Sequence, residues 1–253
     1  MGLIDFRFFA QSIRLHTSVQ VLLPYRLEMC KEPLPVLYLL HGLSDDCSAW
    51  IRMSSIERYA ADRRLAVVMP EVGRSFYCDM VHGQNYFTYI SQELPWVMQT
   101  VFPISSRRED TYVAGLSMGG FGAFKLALNY PERFRGAASF SGAMDLMELH
   151  REGNLSEEQK LLVSSIWDGK TDLTGTCDDL KTLALQLEQS GKEAPILYQW
   201  CGTEDFLHDI NVRFRDFIQT NTHLPYTYTE SPGNHTWKYW DWQIEKALDF
   251  FGL

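Results

Sequence analysis

The chain has 253 residues, enough to bury the core of one α/β domain, and its 45% hydrophobic and 22% charged residues are ordinary globular usage. That composition argues against a disordered chain. A formal net charge of −9 and a pI near 5.3 work against binding a phosphate backbone, so no nucleic-acid partner is expected.

The N-terminal segment MGLIDFRFFAQSIRLH carries Asp5 and Arg7 early and has no apolar run of signal-peptide length. Phe6 stands where a myristoylation signal after Gly2 needs Ser or Thr. Residues 3–10 and 18–28 read as antiparallel strands flanking a polar 11–17. Residues 35–40 (PVLYLL) form a continuous apolar run, as expected for a strand buried on both faces, and it ends at His41-Gly42. A helix is expected over 54–64, with Ile56, Tyr59 and Ala60 on one side. A second buried strand follows at 65–69 (LAVVM), stopped by Pro70. Residues 86–102 read as a helix broken or restarted near Pro95.

Residues 111–114 form a short strand running into GLSMGG, and 121–130 an amphipathic helix closed by Pro131. The next strand is 137–140. The stretch 144–190, rich in Glu, Ser, Gly and Thr with Leu-containing helical pieces and Trp167, breaks the rhythm and reads as an insertion, either a cap or a plain surface excursion. Strand 195–200 (PILYQW), helix 207–220, strand 226–229 and helix 237–251 complete the chain. Alternating strands and helices specify a mostly parallel sheet covered on both faces. No linker-like boundary, repeat or low-complexity tract interrupts it, so 1–253 reads as a single domain.

The five cysteines, Cys30, Cys47, Cys78, Cys177 and Cys201, are odd in number and form no CxxC pair. This pattern argues against a disulfide framework and a structural zinc. No stretch reaches the roughly 18 apolar residues of a membrane span. The expectation is a soluble cytoplasmic protein with no membrane partner.

The sharpest chemical signal is Gly115-Leu116-Ser117-Met118-Gly119-Gly120. It satisfies G-x-S-x-G between a predicted strand and a predicted helix, the context of a nucleophile elbow. Such a tight turn lifts the serine hydroxyl above the C-terminal edge of the sheet and excludes side chains at Gly115 and Gly119. A serine hydroxyl needs a base, and the base needs a carboxylate to fix its tautomer. Chain order in this architecture places acid and base after the serine. Of His150, His208, His223 and His235, only His235 follows the last strand at the C-terminal edge. The acid should follow strand 195–200. Asp205 is favoured there, with Glu204 and Asp209 as rivals that could equally serve as helix-start carboxylates. The oxyanion donors would be the backbone N–H groups of Met118 and of Leu43, in the loop after His41-Gly42. His41 itself suits a structural role. Trp50, Phe76, Trp167 and Trp237 fall near the expected mouth and are candidates for a substrate pocket, with core packing the alternative for each.

The blocks LYLLHGLSDDCSAW, VAGLSMGGFGAFKLALNYPERF, FSGAMDL, CGTEDFL and GNHTWKYWDWQIEKALDFF together resemble the esterase D branch of the α/β-hydrolases over most of the chain. That branch includes tributyrin esterases, S-formylglutathione hydrolases, feruloyl esterases and mycolyltransferases, and the likeness is greatest to bacterial tributyrin esterases. The resemblance implies Ser117 as nucleophile, Asp205 as acid, His235 as base, and Leu43 and Met118 as oxyanion donors, with no cofactor or metal. It implies a serine carboxylesterase acting on small, short-acyl esters through an acyl-enzyme. The alternatives are a thioesterase of the S-formylglutathione hydrolase type, a feruloyl or acetyl-xylan esterase, or, from another class, a non-catalytic ligand-binding relative. LSDDCSAW departs from the S-formylglutathione hydrolase pattern after the strand-end glycine. Homo-oligomers are common in such relatives, though no residue here argues for one.

Overall fold

The computed structural model describes residues 1–25, 32–151 and 155–253. The apolar runs become the centre of one sheet: β3 (Val36–Leu40), β4 (Ala66–Pro70), β5 (Thr111–Leu116), β6 (Gly136–Phe140) and β7 (Ile196–Gly202). A hairpin of β1 (Gly2–Ala10) and β2 (Leu15–Leu23) extends one side, and β8 (Tyr226–Ser231) forms the other edge. The order is β1-β2-β4-β3-β5-β6-β7-β8. The β1/β2 and β2/β4 pairings are antiparallel and the remaining ones parallel. This is the mostly parallel sheet that the alternation of elements predicts.

Every residue of β3, β4, β5 and β6 is buried, because both faces are covered. Side chains alternate between two cores. Val36, Tyr38 and Leu40 join one face with Val113, Phe121 and Phe124, while Leu37 and Leu39 join the other with Trp50, Ala114 and Trp240. Fully burying an aliphatic side chain of this kind is worth about 1.5–3 kcal/mol. The first face is covered by α4 (Leu94–Val101), α5 (Met118–Asn129), α8 (Leu180–Ser190) and α9 (His208–Asn221). The second is covered by α1 (Ala49–Met53), α2 (Ile56–Ala61) and α10 (Trp237–Phe251).

Several boundaries differ from expectation for identifiable reasons. The turn of the first hairpin needs only residues 11–14, with Arg14 at φ +54°, so β2 begins at Leu15. It ends at Leu23, and part of the expected 18–28 strand, residues 26–28, lies outside the described residues. The helix expected over 54–64 is the shorter α2, and a separate short helix, α1, precedes it. Ser54 is extended, and both its N–H and its hydroxyl bond the Trp50 carbonyl, which closes α1 before α2 begins. Pro95 does not break its helix. The path continues from α3 (Tyr86–Thr88) through a π-helical turn, Tyr89–Glu93, into α4, where Pro95 occupies the first turn and no N–H is required of it.

The stretch 144–190 is only partly an excursion. Its last helix, α8, buries Leu180, Leu183, Ala184 and Leu187 and packs on α5 and α9 as part of the helical layer. Only α6 (Leu146–Arg151) and α7 (Glu157–Trp167) stand over the C-terminal edge of the sheet. Among the described residues no helix is long and apolar enough to cross a membrane.

Candidate active site

Ser117 joins β5 to α5 with φ +53° and ψ −118°, a conformation that costs a β-substituted residue strain and persists only under constraint. The constraint is close packing. A Cβ at Gly115 would lie 2.3 Å from the Gly119 carbonyl oxygen, and one at Gly119 would lie 2.4 Å from that of Leu40. The backbone is held further by Ser117 N–H donating to the Phe140 carbonyl at 2.9 Å.

His235 lies in the loop after β8 and Asp205 in the loop after β7. The Ser117 hydroxyl and His235 Nε2 are 3.0 Å apart, and His235 Nδ1 is 2.9 Å and 3.0 Å from the two Asp205 carboxylate oxygens. An ionised carboxylate only accepts, so Nδ1 carries the ring proton and Nε2 is left to accept from Ser117. The Asp205 side chain is fully buried and that of His235 is 19% exposed. Asp205 is itself oriented by the Leu207 N–H, which donates to Oδ1 at 2.9 Å. The imidazole sits between Phe206 (centroids 4.5 Å) and the edge of Trp240 (4.9 Å, 88°).

The rival residues have other partners. Glu204 accepts from the Gly233 N–H at 2.6 Å, and its own N–H donates to the Gly233 carbonyl at 2.9 Å, so it fastens the loop that carries His235. Asp209 is exposed in the first turn of α9. His208 faces Glu230 at 3.1 Å, and His223 faces Glu188 at 3.0 Å. His41 is buried below the turn that follows β3. Its Nδ1 donates to the Gly42 carbonyl at 2.8 Å and its Nε2 accepts from Val72 N–H at 3.2 Å, which fixes the neutral Nδ1-H tautomer.

That turn, closed by Asp45 N–H onto the Gly42 carbonyl, brings Leu43 beside Ser117. A Cβ at Gly42 would approach Ser117 Cβ to 3.8 Å. Met118 is the first residue of α5, where the backbone N–H has no intrahelical acceptor.

Ser117 opens onto a cavity of about 160 Å³ with largely apolar walls. Leu43, Phe76 and Ala143 form its floor side, and Phe206 and Leu207 flank it. Leu149 and His150 from α6 and Leu162, Val163 and Trp167 from α7 close it over. Of the four aromatic candidates, Phe76 and Trp167 line this cavity. Trp50 and Trp237 do not. Trp50 is buried on the other face of the sheet, donates from Nε1 to the Leu40 carbonyl, and packs edge-on against Trp237 (4.9 Å, 84°). Phe206 and the α6–α7 lining residues other than Trp167 were not anticipated. The spacing of Leu162, Val163 and Ile166 is the signal that could have singled out an apolar face on α7. A larger groove of about 580 Å³ lies where β3 and β5 begin, lined by residues such as Arg64, Ser105 and Arg107 and by no histidine. Among the described residues no His, Cys, Asp and Glu cluster could hold a metal ion.

The model of the Esterase family matches residues 10–251. The acetyl esterase of Caldicellulosiruptor saccharolyticus is 27% identical over 264 residues, covering 99% of this chain and 98% of that one. Among solved structures, the substrate-bound fluorophosphonate-binding serine hydrolase F of Staphylococcus aureus superposes with a TM-score of 0.90 at 32% identity, covering 99% of this chain and 98% of that one. The S-formylglutathione hydrolase of Staphylococcus aureus, as apoenzyme, gives 0.87 at 32% identity with the same coverage. With a matching family model over nearly its whole length and this sheet beneath the site, the chain belongs to the Esterase family and is a carboxylic ester hydrolase of the α/β-hydrolase type.

Proposed function

We propose that this esterase hydrolyses short-acyl carboxylic esters, acetyl to butyryl, with Ser117 as nucleophile, His235 as general base and then acid, and Asp205 holding the imidazole. His235 Nε2 takes the hydroxyl proton as Ser117 Oγ attacks the ester carbonyl carbon. The N–H groups of Leu43 and Met118 stabilise the resulting oxyanion. The tetrahedral species collapses with departure of the alcohol, which receives the proton from His235. Water, deprotonated by the same nitrogen, then attacks the acyl-enzyme and releases the acid.

The observation that carries this reading is the relay of 3.0 Å and 2.9 Å contacts opening directly onto a largely apolar cavity. A small cavity of about 160 Å³ lined mostly by apolar side chains suits a short acyl group. A thioester substrate of the S-formylglutathione kind is the second reading. It is favoured by the 32% identity to the staphylococcal hydrolase of that name, and a formyl group is smaller still.

The test is kcat/KM for p-nitrophenyl acetate, butyrate and octanoate, beside S-formylglutathione, with Ser117→Ala as the blank. Acetate and butyrate should be fastest, and the variant should lose about 10⁴-fold or more. Octanoate turned over as well as butyrate would sink the short-acyl reading. A thioester rate far above every ester would move the assignment to the second reading. A wild type no faster than Ser117→Ala on every substrate would remove Ser117 from the chemistry.

A further inference from the structure

The proposed mechanism leaves one buried charge without a task. Lys125, on α5 within the stretch Phe121-Gly122-Ala123-Phe124-Lys125, is fully buried. Its Nζ donates to the Tyr77 carbonyl at 2.9 Å, to Cys78 Sγ at 3.2 Å, and to Asp178 Oδ1 at 2.5 Å. These three partners use the three ammonium protons, and the Phe87 ring covers the charge at 4.1 Å. Burial works against the Lys125 charge, but Cys78 and Asp178 beside it hold its pKa above the usual lysine value. A buried ammonium is tolerated only when paired and fully hydrogen-bonded, so these contacts fix its neighbours as firmly as they fix the lysine.

The neighbours are the two walls of the cavity beside Ser117. Tyr77 follows Phe76, and both hold positive φ, +51° and +55°, a conformation that a bulky residue keeps only when its surroundings impose it. Lys125 secures the Tyr77 carbonyl, Tyr77 Oη donates to the His41 carbonyl at 2.9 Å, and the Tyr77 ring lies on Gly122, where a Cβ would approach it to 2.5 Å. On the opposite wall, the second oxygen of Asp178 accepts from Trp167 Nε1 at 2.8 Å. The Phe76 and Trp167 rings stand 6.0 Å apart and both line the cavity. One ammonium on the helix that begins at Ser117 therefore ties down the loop carrying Phe76 and, through Asp178, the indole at the end of α7.

We infer that Lys125 and Asp178 are positioning residues for acyl selection: their buried pair sets the separation of Phe76 and Trp167 and thereby which acyl groups reach Ser117. This rests on reading that cavity as the acyl site. An apolar residue at 125 would fill the space but deprive the Tyr77 carbonyl of its ammonium donor and the Asp178 carboxylate of its counter-charge. That variant risks losing the fold, so the test uses milder changes.

Asp178→Asn keeps the size of the side chain and removes its charge. Trp167→Phe keeps an aromatic ring and removes the N–H that Asp178 holds, together with part of the indole that lines the cavity. The measurement is kcat/KM for p-nitrophenyl acetate, butyrate and hexanoate in the wild type, both single variants and the double variant, with fluorophosphonate labelling of Ser117 and Tm recorded for each. Each single variant should change the butyrate-to-acetate ratio by about tenfold, the scale on which a pocket senses a methylene. The change should fall on KM more than on kcat. The double variant should show no more than the larger single effect, because both changes break the same link. An unaltered ratio in Asp178→Asn, with or without a lower Tm, overturns the proposal while leaving the short-acyl reading standing. A wild type with no chain-length preference overturns that reading and this proposal together. If Asp178→Asn does not fold, an unaltered ratio in Trp167→Phe overturns the proposal by itself.

Discussion

Ser117 is strained, and the strain is maintained by residues that have no side chain to spare. Gly119 is the most exacting of these, since a methyl group there would lie 2.4 Å from the Leu40 oxygen and 2.7 Å from that of His41. These atoms lie at the end of β3 and in the residue just after it, so relief requires α5 to move away from the strand that leads to Leu43. Gly119→Ala should therefore leave circular dichroism near wild type while kcat/KM for p-nitrophenyl acetate falls about 10²-fold, the cost of roughly 1 Å of misplacement at a reacting centre. A variant with near wild-type activity would mean that Ser117 and the Leu43 loop are not held by this contact. Glycine at 115 and 119 was legible in advance because the turn geometry is local. Lys125 was not. A lysine inside an apolar helical stretch reads as a residue that reaches water, and the carboxylate that pairs with it lies far along the chain, after α7.

At the scale of elements, apolar runs identified β3 and β4 because strands buried on both faces need no polar side, and the alternation with helices placed β5, β6 and β7. Chain order led to the loops holding Asp205 and His235, since the C-terminal ends of parallel strands converge on one edge. Where the sequence misled, tertiary direction was the missing quantity. Trp50 and Trp237 lie close in sequence to the site, yet their rings turn to the far face, where Trp50 finds the Leu40 carbonyl. Composition hid α8 within 144–190, although Leu180, Leu183, Ala184 and Leu187 form a helical stripe. The cap helix α7 begins with a reciprocal box, in which Ser156 Oγ accepts from Gln159 N–H at 3.2 Å and Gln159 Oε1 accepts from Ser156 N–H at 2.9 Å. Ser156→Ala should cost about 1 kcal/mol, the usual worth of such a cap. Because α7 lies over the site and outside the main helical layers, amide exchange should quicken along 157–167 with little change in Tm. Uniform acceleration across β3 and β5 as well would show that α7 does not open by itself.

For the molecule as a whole, the buried pair makes a statement about acid. Burial tends to raise the Asp178 pKa, but the Lys125 charge together with the hydrogen bonds from Lys125, Trp167 and Cys78 outweighs it and holds the carboxyl below its ordinary 3.8. A folded-state pKa lowered in this way gives stability that is fully present above about pH 3.8 and is lost as pH falls through the folded value. Chemical denaturation at pH 7, 4 and 3 should show the wild type losing stability in the lowest interval and Asp178→Asn losing less over that interval. Equal losses would mean that Asp178 carries none of the acid sensitivity. Exposed carboxylates such as Glu188 and Glu230 are shifted the same way by His223 and His208, but solvent screening makes each a minor contributor.

Ser117 and His235 are 118 residues apart in sequence, and their strands, β5 and β8, are separated in the sheet by β6 and β7. β8 is an edge strand with no fully buried residue, so little apolar burial draws it into place ahead of its neighbours. Activity is consequently a clock for folding. During refolding, secondary structure and a collapsed interior can return while hydrolysis is still absent, because His235, the proposed base, reaches Ser117 only once β8 has docked on β7. The lag between recovery of circular dichroism and recovery of turnover measures the time the sheet takes to acquire its final edge.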